Sequence, residues 1–197
     1  MKQSRISQRA VTVQTREDGS RAITGYGAVF YNANDPGTQF ELWPGCFERI
    51  DPRAFDSALQ SKADVRACFN HDANQILGRT SAGTMRLSVD FTGLRYEVDV
   101  PDTQLGRDLV TSIERGDVTG SSFMFSIRSV ERVVGKDGNP DLRIIKDLEL
   151  YETGPVTFPA YESATAGVRD ESGIAETRAE HEAWKRQRDR DLLQIED

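Results

Sequence analysis

Histidine and cysteine are scarce in this chain, two of each among 197 residues. Two cysteines, Cys46 and Cys68, are too few for the disulfide framework of a small secreted domain, and both read as small buried thiols in a reducing compartment. Cys46, Cys68, His71 and His181 also lack the paired close spacings of a tetrahedral zinc site. Basic charge is not in surplus: a formal charge of −7 and a pI near 5.0 argue against tracking a phosphate backbone, so nucleic acid is not an expected partner. No apolar run approaches the roughly 18 to 20 residues that span a bilayer, and the start MKQSRISQRAVTVQ has no continuous apolar stretch like a secretory signal. The expectation is a soluble, cytosolic protein without a membrane partner. No glycine loop that would cradle phosphate is present.

What the chain does have is alternation. The runs AVTVQTR, AITGYGAVFYN, DVRACFN, TMRLSVD and GLRYEVDV are short and strand-like, broken by Asp18-Gly19, Asp35-Pro36-Gly37 and Thr92-Gly93. Between the second and third, DPRAFDSALQS predicts a short helix with Asp51 as its N-cap, Pro52 at its first position, and Phe55 and Leu59 on one face. A second helix is predicted in PDTQLGRDLVTSIERG, where Leu105, Leu109, Val110 and Ile113 form a stripe, Asp102 can cap the start and Gly116 can end it. Two long strand-like runs then flank the turn signal Lys136-Asp137-Gly138-Asn139. From Asp170 to Asp197, nine residues are acidic and five basic, which reads as a charged C-terminal tail, helical or disordered. The organisation expected is an N-terminal arm and first strand over residues 1–20, one domain over 21–169, and the tail over 170–197. The element order suggests an antiparallel or mixed barrel with helices at its edges.

Within GDVTGSSFMFSIRS, alternation puts Phe123, Phe125 and Ile127 on one face and Ser122, Met124, Ser126 and Arg128 on the other. Serines on the open face of a strand are common, and most do nothing. To act as a nucleophile, Ser122 needs a base within hydrogen-bond reach and a third group that fixes the base. His181 lies in the tail, so His71 is the internal candidate, although a partly exposed loop histidine is the bland alternative. Asp72 is an awkward third member, because neighbouring side chains in an extended segment point apart. Glu152 shares parity with Leu148 and Leu150 and so continues an apolar face, where a carboxylate wants a donor; an arginine partner or a solvated strand end are its other readings. The string Gly120-Ser121-Ser122-Phe123-Met124 lacks the last glycine of a G-x-S-x-G elbow. Cys68, three residues from His71, leaves little room for a substrate carbonyl between thiol and imidazole.

The ordered series ITGYGAVFYN, PGCFERIDPRAF, FNHD with LGRT, GLRYEVDVPDT, RGDVTGSSFMF and LYETGPVTFPAY resembles the prohead (procapsid) maturation proteases of tailed bacteriophages, from about Ile23 to Val168. These serine peptidases are similar in fold to the herpesvirus capsid-maturation protease, assemblin. The resemblance implies an α+β fold: a mainly antiparallel β-barrel with peripheral helices, plus the charged C-terminal tail. It implies Ser122 as nucleophile, His71 as base, Glu152 as the third member, and no cofactor or metal. It also implies a substrate, the scaffolding segment of the major capsid protein and the protease itself, cut in the host cytoplasm inside the assembling procapsid. Self-association as a dimer is compatible with it. Three positions depart from the family pattern: Met124 where glycine is common, Gly154 where serine is common two residues after the acid, and Tyr161 in PAY where PAN is usual. Met124 and Gly154 keep a second reading in view, a noncatalytic capsid-assembly scaffold or docking module.

Overall fold

The computed structural model describes residues 3–7, 11–157 and 171–193. In chain order the strands among them are β1 (Gln3–Ser7), β2 (Thr12–Thr15), β3 (Arg21–Val29), β4 (Phe40–Trp43), β5 (Cys46–Ile50), β6 (Arg66–Cys68), β7 (Ile76–Arg79), β8 (Met85–Val89), β9 (Gly93–Asp99), β10 (Gly120–Val133) and β11 (Asp141–Val156). The helices are α1 (Asp56–Gln60), α2 (Gln104–Arg115) and α3 (Glu171–Leu193). None of these helices is long and apolar enough to cross a membrane. Tyr161 lies outside the described residues.

The fold is α+β with sheets dominating, but the closed barrel expected from the sequence is not formed among the described residues. The strands make two sheets: one of seven strands in the order β1-β10-β11-β5-β4, with β6 paired to β11 and β7 to β6, and one of four in the order β2-β3-β9-β8. Alternation specifies which face of a strand is buried and not which strand lies beside it, so it cannot distinguish one barrel from two sheets. Nor is the larger sheet antiparallel throughout, since β5 and β6 both run parallel to β11.

The two sheets bury a common core that includes Ile23, Leu94, Tyr96, Phe123, Phe125, Ile145 and Leu148. Phe123 and Phe125 stack with centroids 4.7 Å apart, and Phe55 meets Phe123 edge-on at 6.0 Å. Where β3 crosses the larger sheet, Gly27 has no side chain because a Cβ there would be driven into the hydroxyl of Thr153. The Tyr96 and Ser121 hydroxyls, 2.8 Å apart, tie the sheets together one residue from Ser122.

The helices differ in how far local signals determine their ends. Helix α2 buries Leu109, Val110 and Ile113 and ends at Gly116 with φ +82°, as its stripe predicts. Its cap is Thr103, whose hydroxyl accepts from Gly106 N–H at 3.1 Å, while Asp102 instead pairs with the exposed Arg107. Helix α1 begins later than predicted: Asp51 accepts from Arg53 N–H at 2.9 Å and closes a turn, and α-helical pairing starts only at Asp56. Helix α3 docks through Ile174, which packs on Leu42, Trp43 and Cys46, and through His181, which is wholly buried.

Candidate active site

His71 follows β6 on a turn that few residues adopt. Asn70 and His71 both have positive φ, +54° and +59°. Such a backbone is uncommon for residues other than glycine, of which asparagine, aspartate and histidine adopt it most readily, and it persists only where the surroundings enforce it. The enforcement comes from Asn70, clamped to the end of β11 at three points. Its N–H donates to Pro155 O (3.1 Å), its Nδ2 donates to Thr157 Oγ1 (2.8 Å), and its Oδ1 accepts from Thr157 N–H (2.8 Å). Asp72 completes the turn by accepting from the Asn74 backbone N–H at 2.8 Å, an interaction that lowers its pKa.

This turn brings the imidazole over β10 and β11. Its Nδ1 lies 2.8 Å from Glu152 Oε1 and its Nε2 lies 2.7 Å from Ser122 Oγ. Ser122 sits opposite Gly154, and Met124 opposite Glu152, in the antiparallel register, so nucleophile candidate and carboxylate occupy one face of the hairpin. Glu152 is 8 % exposed, and the group it bonds is the imidazole rather than an arginine. Asp72, occupied with Asn74 and Gln75, makes no contact of this kind with the ring. His181 is elsewhere, 3.0 Å from Asp141 on the α3 joint.

Ser122 is held tightly and covered. Its carbonyl accepts from Thr153 Oγ1 at 3.0 Å, and β1 pairs along the free edge of β10, placing Ile6 opposite Ser122. The Arg5 carbonyl oxygen accepts from Ser122 Oγ at 2.8 Å, and the serine is fully buried. A hydroxyl carries one proton. While that proton is given to Arg5 it is not given to His71, so β1 both shields the serine and competes with the imidazole for its hydrogen.

Cys68 is an unsuitable rival nucleophile. Burial, with the charge of Glu152 nearby, pushes its thiol up to about 11, so at neutral pH it holds almost no thiolate. Gly154 has a local explanation: a Cβ there would be driven into the Cys68 carbonyl oxygen, displacing the strand that leads to His71. Met124 is half-buried on the Ser122 face, beside the site without bonding to it.

Sequence reasoning named the three side chains that meet here and missed what positions them. Asn70 lay in the FNHD motif, but its bonds join residues 87 apart in the chain, which no local pattern reveals. The β1 segment QSRIS lacks apolar alternation and gave no strand signal.

A family model described as caudovirus prohead serine protease matches residues 8–179. No curated protein matches the chain. Among solved structures, the capsid assembly protease of bacteriophage T4 aligns with a TM-score of 0.44 and 13 % identity, over 79 % of this chain and 98 % of that one.

Proposed function

The chain belongs to the caudovirus prohead serine protease family, a serine endopeptidase family, and on that premise we propose that Ser122 is its nucleophile, His71 its general base and Glu152 the group that orients the base. The observation that carries this reading is the unbroken relay from Ser122 Oγ to His71 Nε2 at 2.7 Å and from His71 Nδ1 to Glu152 Oε1 at 2.8 Å. With Glu152 accepting from Nδ1–H, Nε2 presents a lone pair to the hydroxyl.

The chemistry follows from that tautomer. Nε2 takes the Oγ proton as Oγ bonds to the scissile carbonyl carbon, and the imidazolium formed is stabilised by the Glu152 carboxylate. The imidazolium then gives its proton to the departing amine as the C–N bond breaks, leaving an acyl-enzyme. Water, deprotonated by the same nitrogen, releases the acid and restores the serine. None of this can begin on another chain until β1 yields the edge of β10.

The substrate we assign is the scaffolding segment of the major capsid protein, cut inside the assembling procapsid, with the enzyme's own chain as a second substrate. Cutting that segment makes capsid maturation irreversible. Co-expression of the capsid protein with this chain, followed by mass spectrometry, tests both assignments: a shortened capsid subunit is expected with the parent and none with Ser122→Ala. Equal shortening by the alanine variant would remove Ser122 from the role.

A further inference from the structure

Strand β1 lies along β10 where a substrate strand has to lie for its carbonyl to meet Ser122, and the residue whose carbonyl does so is Arg5. Its side chain leaves on the other face. Arg5 stands opposite Phe123 in the register, so its guanidinium runs beneath the sheet with the stacked phenylalanines and ends only 3 % exposed. There Nε donates to Glu48 Oε1 at 2.8 Å, and Nη2 donates to the same oxygen. The guanidinium carbon lies 5.4 Å from the ring centroid of Phe125 and 5.8 Å from that of Phe40.

As a device for stability this would be a poor choice, because burying both charges costs about what their attraction returns, and an apolar residue could pack on the same rings. As a device for recognition it is well made. A wholly buried carboxylate supplies the charge and two aromatic faces select a planar cation. Arg143 stands opposite Glu48 in the β5–β11 register, so a positive charge stays beside the carboxylate after the bound guanidinium has left.

We propose that the pocket formed by Glu48, Phe40 and Phe125 is the primary specificity subsite of the enzyme, taking an arginine side chain from the residue that supplies the scissile carbonyl, with lysine second. The inference rests on the Ser122–His71–Glu152 reading above. Arginine leads because it alone combines charge with a plane that stacks; an uncharged residue forfeits both guanidinium bonds to Glu48 Oε1, and lost bonds to a buried polar group are where enzymes discriminate most strongly.

The test is the full chain co-expressed with its capsid protein, with every new terminus mapped by mass spectrometry. New C-termini that depend on Ser122 are expected to end in arginine and, less often, lysine. Replacing that residue of the capsid protein by glutamine should lower cutting about 100-fold. Glu48→Gln should lower the ratio of cutting after arginine to cutting after glutamine about 30-fold, with a thermal melt to establish that the variant folds; the capsid-protein swap needs no enzyme variant and decides the matter if it does not. Ser122-dependent cuts with no basic preference, or cuts indifferent to the swap, overturn the pocket and leave the peptidase standing. If no cut depends on Ser122, the peptidase reading falls and takes the pocket with it.

Discussion

Two carboxylates lie near His71 in the sequence argument, and the geometry separates their tasks. Glu152 bonds the ring nitrogen, whereas Asp72 binds the backbone of the turn that carries the ring. Glu152→Gln should therefore lower kcat by about 10⁴, less than the roughly 10⁶ expected for His71→Ala, because an amide can still hold the ring but stabilises its charge poorly. Asp72→Asn keeps an acceptor for Asn74 N–H and should change kcat by no more than about threefold. Steady-state kinetics on one peptide substrate compares all three. A larger loss from Asp72→Asn than from Glu152→Gln would exchange the two roles.

At the scale of elements, the proposed base, His71, is aimed by a strained turn and the proposed nucleophile, Ser122, is covered by an edge strand. Asn70→Ala removes two side-chain bonds to Thr157 and leaves alanine in a left-handed conformation that costs roughly 1 kcal/mol. A drop in kcat of about 10- to 100-fold with KM nearly constant is expected, since a displaced base weakens the chemical step more than binding; equal changes in both would mean general unfolding. Strand β1 makes a different prediction. Removing residues 1–7 should speed phosphonylation of Ser122 by a fluorophosphonate at least tenfold by uncovering a fully buried hydroxyl, and an unchanged rate would mean that β1 is no obstacle.

These elements also mark the reach of sequence reading. Strands β3 and β9, helix α2 and the β10–β11 hairpin were legible because each carries its own periodicity or turn residues, as Gly116 and Gly138 show with φ +82° and +83°. Strands β1, β4 and β5 were not. They are four or five residues long and take their structure from distant partners: β10 for β1, and β11 for the β4–β5 hairpin. The three side chains of the site were legible for another reason. With one histidine outside the tail and one acid continuing an apolar face, the choices were few, and the long hairpin brought two of the three together.

At the scale of the molecule, the charged C-terminal segment is joined to the sheets by a buried polar contact. The stripe Ile174, Thr177, His181 and Trp184 on α3 was invisible to an apolar count because threonine and histidine hold its middle. His181 packs edge-on against Trp43 at 5.6 Å, and Asp141 of β11 binds His181 at 3.0 Å and Lys185 at 2.9 Å, while Arg132 and Glu180 approach to 3.9 Å beside them. Burial alone would raise the Asp141 pKa, but the bonds from Lys185, the Gly135 N–H and His181 outweigh it and hold it at about 2, below the ordinary 3.8. The folded state thus binds this proton more weakly than the unfolded state does. The resulting stabilisation, about 2 kcal/mol at most, is fully present above roughly pH 5 and is lost as pH falls through 3.8 toward 2. Asp141→Asn should accordingly lower the melting temperature at pH 7, and the gap to the parent should close as both are acidified toward the Asp141 pKa. Both tryptophans of the chain, Trp43 and Trp184, pack on His181, so their fluorescence reports this joint directly. A gap that stayed constant from pH 7 down to the acid limit would mean that Asp141 holds α3 by shape alone, with its charge contributing nothing.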